Sequence, residues 1–222
     1  VFREVKRVLR DDGTLWLNLG DSYGKNKQLT GIPWRVAFAL QQDGWYLRQD
    51  IIWHKPNPMP ESVKNRCTKA HEYIFLLSKK AKYYYDNENI KEDAKYPQGP
   101  SAAHAIRKGS KDPLMRTRAG LNKIGANPKK NKRSVWTITT KPFKGAHFAT
   151  FPKDLIEPCV LAGCPEGGTV LDPFGGSGTT GIVAAQHDRN AVLLELNQEY
   201  IDLANARINK ELGIFGQGVQ ND

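Results

Sequence analysis

The residues best suited to chemistry in this chain form a glycine-rich turn near its carboxyl end. Residues 168–181 read Gly-Thr-Val-Leu-Asp-Pro-Phe-Gly-Gly-Ser-Gly-Thr-Thr-Gly. The run Thr169–Leu171 favours a short buried strand, and Thr179–Gln186 favours a helix. The glycines between them allow a tight turn and a close approach to a ligand, because glycine has no Cβ. This order of strand, glycine loop and helix is typical of nucleotide-binding sites.

A carboxylate follows the next predicted strand, where the run 191–194 leads into Glu195. An acid at the end of the second strand of a βαβ unit can accept hydrogen bonds from both hydroxyls of a ribose. The pattern therefore predicts a site for a nucleoside-bearing cofactor. Gly176, Gly178 and Gly181 also fit the dinucleotide fingerprint, so at this point an NAD-dependent oxidoreductase remains an alternative.

Polar side chains also follow two earlier predicted strands. The strand Thr14–Leu19 leads into Asp21, and the strand Tyr46–Trp53 leads into Lys55. Three prolines within residues 56–60 stiffen the loop after Lys55, because proline fixes φ. Ligands bind at the carboxyl ends of strands in open α/β sheets, so both connections are candidate parts of a site.

The remaining periodicity predicts an α/β sheet with helices on both faces. Phe2, Val5 and Leu9 fall at helical spacing, and residues 134–139 return to an ordered pattern after a long irregular stretch. The other predicted elements are a helix Ile32–Gln42, a strand His71–Ser78 with a hairpin extension Lys82–Asp86, a helix from Pro152 to about Ala162, and a final helix Gln198–Leu212.

The charge is concentrated in one part of the chain. The formal net charge is +10, from 33 basic and 23 acidic residues. Residues 101–145 hold twelve Lys or Arg and one acid, Asp112. A localised basic stretch in a folded protein favours a polyanionic partner such as nucleic acid, although a solvated surface would look the same. We predict three regions: a first half of the sheet at 1–86, a basic insert at 87–133 and a cofactor-binding half at 134–222.

Composition excludes several other classes. No apolar run approaches the roughly 20 residues that a membrane helix needs. Cys67, Cys159 and Cys164 have no metal-ligand spacing, and an odd number of cysteines argues against a disulfide framework. We therefore predict a cytoplasmic protein without a metal site, with all three cysteines in packing roles.

Four blocks together resemble motifs of the beta-class S-adenosylmethionine-dependent DNA amino-methyltransferases. They are Leu-Asn-Leu-Gly-Asp-Ser-Tyr at 17–23, Ile-Ile-Trp-His-Lys-Pro-Asn-Pro-Met-Pro at 51–60, His-Phe-Ala-Thr-Phe-Pro at 147–152 and Leu-Asp-Pro-Phe-Gly-Gly-Ser-Gly-Thr-Thr at 171–180. That family methylates N6 of adenine or N4 of cytosine on a base flipped out of duplex DNA. The resemblance implies a Rossmann-like sheet with permuted motif order and a basic target-recognition insert.

The resemblance also implies roles for individual residues. Asp21 and Ser22 would form the methionine end of an S-adenosylmethionine pocket, His147 and Phe151 would close over the cofactor, and Glu195 would hold its ribose. The loop residues expected along the cofactor are Asp172, Pro173, Phe174, Gly175, Gly176, Ser177, Gly178 and Thr179. The residues expected to contact the target base or DNA are Trp53, Lys55, Asn57, Arg107, Lys108, Lys111, Arg116, Arg118, Lys130 and Arg133.

One family signature is absent from the sequence. The family's (Asp, Asn or Ser)-Pro-Pro-(Tyr or Phe) motif supplies acceptors for the target amino group, and the chain contains no Pro-Pro pair. We therefore expect a chain that lacks an amino-terminal segment with the signature, and we assign no catalytic base. A DNA- or cofactor-binding remnant without catalysis is the alternative. The choice of adenine or cytosine, the recognition sequence and the oligomeric state (monomer or homodimer) stay open.

Overall fold

A computed structural model describes residues 1–94, 129–140 and 151–213. The chain falls into two compact units, Val1–Asp86 with Arg133–Asp222, and Asn87–Lys132. His147 and five of the predicted DNA-contacting cations lie outside the described residues; those cations are Arg107, Lys108, Lys111, Arg116 and Arg118. The role predicted for the 87–133 insert in target recognition stays a prediction.

The larger unit begins with a mixed four-stranded sheet. Its strands are β1 (Thr14–Leu19), β2 (Tyr46–His54), β3 (His71–Ser78) and β6 (Val135–Thr137). Strand β3 runs antiparallel to both β1 and β2, and β6 runs parallel to β2. Strands β1, β2 and β6 therefore point the same way, and the loops that follow them emerge at one edge of the sheet.

Helices cover both faces of this sheet, as the hydrophobic pattern predicts. Helices α1 (Phe2–Val8) and α2 (Ile32–Gln42) pack on one face, and α3 (Lys153–Gly163) packs on the other. Side chains on a strand alternate between faces. Accordingly, Phe75 and Leu77 of β3 join the cluster beneath α1 and α2, whereas Ile74 joins Leu155 in the cluster beneath α3.

A parallel βαβ unit forms the rest of the larger unit. Strands β7 (Thr169–Asp172) and β8 (Asn190–Leu193) pair in parallel and are connected by α4 (Thr179–Gln186). The final helix, α5 (Gln198–Leu212), packs on α4. Gly178 begins α4 with φ of 74°, and its backbone lies against Ala204 and Ile208 of α5. The strand, loop and helix order predicted from the glycine motif is present.

The smaller unit is described only at its two ends. A single 3₁₀ turn at Glu88–Ile90 precedes β4 (Glu92–Asp93), which pairs antiparallel with β5 (Lys129–Lys130). Lys129 Nζ lies 2.7 Å from Asp93 Oδ1, and Lys130 Nζ lies 3.5 Å from Glu92 Oε1. Two ion pairs therefore join β4 and β5, the short strands on either side of residues 94–128.

Two expectations about local structure are wrong. Residues 82–86 form no hairpin with β3, because Tyr84 N donates to Asp12 O and Asp86 N donates to Ala162 O. The amide groups that a hairpin partner would satisfy are bonded to other elements. Cys159 and Cys164 are buried as predicted, but Cys67 is exposed.

None of the helices in the described part of the chain is both long and apolar enough to cross a membrane. Within the same residues, no group of three or more His, Cys, Asp or Glu side chains is arranged to hold a metal ion.

The contact between the glycine loop and α5 can be tested with two alanine substitutions. Gly178 and Gly167 have nearly equal φ angles, 74° and 72°, but a Cβ on Gly178 would lie 3.1 Å from Ala204 Cβ, whereas Gly167 has open space. We expect Gly167→Ala to lower the free energy of unfolding by about 1 kcal/mol through backbone strain alone. Gly178→Ala should cost about 2–4 kcal/mol because overpacking adds to that strain. Urea unfolding measures both, and equal losses would show that the contact with α5 does not constrain Gly178.

Candidate active site

The Asp172 carboxylate forms hydrogen bonds within the loop between β7 and α4. Its Oδ1 accepts a hydrogen bond from Phe174 N at 3.0 Å, and its Oδ2 accepts one from Thr180 Oγ1 at 2.6 Å. The carboxylate thus ties the last residue of the strand to the first turn of the helix. This contact makes Asp172 a support of the loop, and Thr180 is a member of the site that the sequence did not predict.

The middle of the loop is bonded to the end of β8. Gly175 N donates to Leu194 O at 2.8 Å, and Gly176 N donates to Glu195 Oε2 at 2.9 Å. A Cβ on Gly175 would lie 2.9 Å from Leu193 Cβ. Glycine is therefore required there for close packing against the neighbouring strand.

Glu195 is held by three backbone N–H groups. Besides Gly176 N at its Oε2, its Oε1 accepts from Leu196 N and Asn197 N, both at 2.9 Å. The side chain is half-buried at the carboxyl end of β8. A carboxylate in these bonds has a fixed orientation, as a site that recognises a pair of hydroxyls requires.

Ser177 and Thr179 face α5 rather than an open pocket. Both side chains are buried, and Arg207 Nη1 donates to Ser177 Oγ at 3.0 Å and to Thr179 Oγ1 at 2.8 Å. The same nitrogen donates to Ser177 O at 3.1 Å. The Ser177 and Thr179 hydroxyls therefore bond to Arg207, and the cofactor contact predicted for these two residues stays a prediction.

Arg207 belongs to a longer ion-pair chain that sequence reasoning missed. Its Nε donates to Glu211 Oε1 at 3.1 Å, and Glu211 also pairs with Lys153 in the first turn of α3. Arg207 lies between Ala204 and Ile208, which face inward at helical spacing. That position on the border of the buried stripe was the available signal, but only the fold shows that the glycine loop lies opposite.

An open apolar surface remains beside Glu195. Phe174 is 62% exposed, Leu194 is 54% exposed, and Leu196 is fully exposed. The Leu194 carbonyl accepts from Gly175 N, so this surface adjoins the loop. Ligand pockets combine apolar walls with a few fixed polar groups, so Glu195 and these exposed apolar side chains are candidates for such a site.

Asp21 caps a helix. Its carboxylate accepts from Thr30 Oγ1 at 2.6 Å, from Gly31 N at 3.1 Å and from Ile32 N at 3.3 Å, at the amino end of α2. Ser22 N donates to the same carboxylate at 2.8 Å. Burial raises the pKa of Asp21, but the bonds from Thr30 and from these amides outweigh it and hold the pKa below its usual value. The predicted place of Asp21 and Ser22 at the methionine end of a cofactor pocket stays a prediction.

Trp53 was predicted to contact the target base or DNA; its ring lies in the core, and that contact stays a prediction. The ring is 3% exposed, and its Nε1 donates to Ile138 O at 2.8 Å. Lys55 Nζ lies 4.2 Å from the ring centroid and is also paired with Glu72, the second residue of β3. Trp53 therefore supports the start of the proline-rich loop from within the core, and Lys55 covers it.

The other predicted residues are placed as follows. Both ends of the Asn57 amide bond to Thr140: Asn57 Nδ2 donates to Thr140 O at 3.1 Å, and Thr140 N donates to Asn57 Oδ1 at 3.0 Å. Phe151 is half-buried against the cluster beneath α3. Pro173 is half-buried in the loop, and Arg133 is exposed. Their predicted contacts with cofactor or DNA stay predictions.

The charge of Asp21 can be tested by its pH dependence. Asp21→Asn should lower the free energy of unfolding at pH 7 by about 1–2 kcal/mol, because the amino end of α2 loses its charged acceptor. Since the folded pKa is depressed, this stabilisation is present above the unfolded pKa and fades as the pH falls through the folded value. Asp43→Asn, at the other end of α2, removes an exposed pair with Arg3 and should cost less than about 1 kcal/mol. Urea unfolding over a pH series measures both; a constant loss for Asp21→Asn would contradict the charge argument.

Comparisons with known proteins agree with this arrangement. The family model described as DNA methylase (N6_N4_Mtase) matches residues 1–206. The chain is 49% identical over 236 residues to the Type II methyltransferase M.SmaI of Serratia marcescens, covering 94% of this chain and 71% of that protein. It is 46% identical over 239 residues to the Type II methyltransferase M.Cfr9I of Citrobacter freundii, covering 95% and 70%.

Two solved structures share the fold. The PvuII DNA methyltransferase (cytosine-N4-specific) superimposes with a TM-score of 0.66 at 20% identity, over 98% of this chain and 68% of that one. A putative DNA modification methylase from Thermus thermophilus, complexed with S-adenosyl-L-methionine, gives a TM-score of 0.62 at 25% identity, over 96% and 75%. With a family match over most of its length and relatives above 40% identity, the chain belongs to the N6/N4 family of DNA methylases.

Proposed function

We propose that this chain is the S-adenosylmethionine-dependent part of a restriction-modification DNA methyltransferase that modifies N6 of adenine or N4 of cytosine in duplex DNA. The observation that carries the cofactor assignment is Glu195, whose carboxylate accepts from Gly176 N in the loop that also carries the exposed Phe174. The similarity to a methylase solved with S-adenosyl-L-methionine supports it. A setting in the bacterial cytoplasm stays a prediction.

Different residues of the site are proposed to contact the cofactor and to hold the loop in place. The bound cofactor supplies an activated methyl group on a sulfonium. In this proposal Glu195 accepts hydrogen bonds from the ribose hydroxyls, and Phe174 offers an apolar face to the nucleoside. Asp172 and Arg207 hold the loop in shape before the ligand arrives, which reduces the entropy lost on binding.

The glycine pattern gives little support to the NAD alternative. Gly176 N is bonded to the Glu195 carboxylate, whereas a pyrophosphate site needs open N–H groups. Gly178 and Gly181 are explained by packing, since a Cβ on Gly181 would lie 2.9 Å from Leu193 Cδ1. Calorimetric titration with S-adenosylmethionine and with NAD separates the two; binding of NAD alone would overturn the proposal.

The absence of a Pro-Pro-aromatic signature bears on activity. Among the described strands, β1 pairs only with β3 and β7 pairs only with β8, so each has one edge available for a further strand. These edges support the prediction that a segment with the signature completes the sheet. Without the acceptors of that segment we expect cofactor binding but little methyl transfer, since alignment of reacting groups is worth about 7–11 kcal/mol of barrier.

The deciding assay is transfer of labelled methyl groups to unmethylated genomic DNA. It compares the 222-residue chain with a form extended upstream by roughly 20–60 residues that include the signature. Separation of the labelled nucleosides distinguishes N6-methyladenine from N4-methylcytosine. Methyl transfer by the extended form would support an enzyme. If neither form transfers methyl groups, the result favours a remnant without catalysis. Multiple turnover by the 222-residue chain alone would contradict the missing-segment prediction.

The role of Glu195 predicts a measurable loss of cofactor affinity. Glu195→Ala removes the acceptor for two ribose hydroxyls and for the Gly176 amide, and should weaken binding by roughly 1.5–3 kcal/mol. Glu199→Ala is the matched control, because it removes an exposed carboxylate in the first turn of α5. Calorimetry measures both affinities, and an unchanged dissociation constant for Glu195→Ala would remove Glu195 from the site.

The basic insert predicts a salt-dependent contact with DNA. Replacing the five cations from Arg107 to Arg118 with glutamine should flatten the slope of log affinity against log salt by up to about 4.5, since each phosphate contact contributes about 0.9. An unchanged slope would mean that the insert is a solvated surface. Lys130 is a poorer candidate, because its ammonium lies beside Glu92.

A further inference from the structure

A second basic surface lies outside the insert, on the two loops that follow β1 and β2. Residues 21–31 and 55–70 contain six Lys or Arg and two acids, Asp21 and Glu61. Strands β1 and β2 run in the same direction, so both loops emerge at the same edge of the sheet. We call these segments the first loop (21–31) and the second loop (55–70).

The first loop is a small hairpin that presents two lysines. Tyr23 and Leu29 form an antiparallel bridge, and Gly24 N donates to Gln28 O at 2.9 Å. Lys25 and Lys27 lie at the tip, and Lys27 has a positive φ of 57° that the turn requires. Both side chains are exposed, and neither has a hydrogen-bond or ion-pair partner among the described residues.

The second loop is folded around its own acid. Glu61 Oε2 accepts from Arg66 Nη1 at 2.5 Å and from Lys69 N at 3.3 Å. The Arg66 guanidinium holds the pKa of the Glu61 carboxyl below its usual range, so the two charges neutralise each other. Lys64 lies between them in sequence, is exposed, and likewise has no partner among the described residues.

Two contacts join the loops into one surface. The Arg66 guanidinium lies 4.0 Å from the centroid of the Tyr23 ring, and Lys69 Nζ donates to Asp21 O. The carboxylate of Asp21 is turned away to the amino end of α2. Both acids are therefore used in contacts within the protein. So are three of the six cations, which are Arg66, Lys69 and the Lys55 that pairs with Glu72. Three unneutralised ammonium groups remain on the outside: Lys25, Lys27 and Lys64.

We infer that Lys25, Lys27 and Lys64 bind phosphates of the DNA backbone. This inference rests on the proposed function, because it takes DNA as the partner. Uncompensated lysines on an ordered surface are suited to phosphates as point charges without base recognition. These loops follow the carboxyl ends of β1 and β2, and ligands of open α/β sheets bind at the carboxyl ends of strands.

The test replaces all three lysines with glutamine in the full chain. The salt slope for binding a mixed-sequence duplex should fall by about 2.7, and replacement by arginine should preserve it. The matched control changes Arg10, Lys80 and Lys82 to glutamine; these cations lie at the opposite edge, before β1 and after β3, and the slope should not change. Affinity for S-adenosylmethionine should be the same in all forms, which confirms that the variants fold.

The possible results distinguish a failure of the phosphate-binding surface from a failure of the proposed function. If the parent chain binds the duplex and the glutamine variant keeps its slope, the phosphate surface is overturned and the proposed function stands. If the control triple lowers the slope equally, the effect is one of net charge and the assignment of a surface is again overturned. Failure of the parent chain to bind duplex DNA at all would count against the proposed function itself.

Discussion

The parallel βαβ unit of this methylase depends on a single carboxylate that accepts hydrogen bonds from two successive connections. Glu195 accepts from Gly176 N in the glycine loop and from Leu196 N and Asn197 N in the turn after β8. Asn197 in turn caps α5, because its Oδ1 accepts from Glu199 N at 2.9 Å. Hydrogen bonds to a charged group are worth about 1.5–3 kcal/mol each, so this acid fixes both connections.

Helix α5 also contacts the glycine loop, through Arg207. Arg207, in the middle of α5, donates to Ser177 O and to the hydroxyls of Ser177 and Thr179. The loop is thus held at Gly176 by an acid and at Ser177 by a base, the acid from the end of β8 and the base from α5. These contacts hold the Glu195 carboxylate in one orientation and leave Phe174 exposed.

The other sheet uses the same physical device at the end of β1. Asp21, like Glu195, is a strand-end carboxylate held by backbone N–H groups, and those amides belong to Gly31 and Ile32 at the start of α2. Hydrogen bonds of this kind favour the ionised acid. The acids that end these two strands therefore fix the connections to the following helices, and the connection after β1 carries exposed lysines.

Much of the secondary structure was predictable from the sequence, because it follows local patterns. The helices Ile32–Gln42, Thr179–Gln186 and Gln198–Leu212 and the strand His71–Ser78 have the predicted bounds. Apolar spacing and the positions of glycine and proline are properties of neighbouring residues, which a sequence displays directly. The family resemblance rested on the same short-range information, in four motifs of consecutive residues.

The partners of polar side chains were decided by the tertiary structure. The Ser177 and Thr179 hydroxyls are bonded to Arg207 because α5 places it beside them, and the Trp53 N–H is bonded to Ile138 O. Residues 82–86 looked like a hairpin until Asp12 and Ala162 took their amides. All of these contacts join residues that lie far apart along the chain, 30 positions for Ser177 and Arg207 and 85 for Trp53 and Ile138. The sequence alone determined which groups need a partner, and the fold selected the partner because it brings distant residues together.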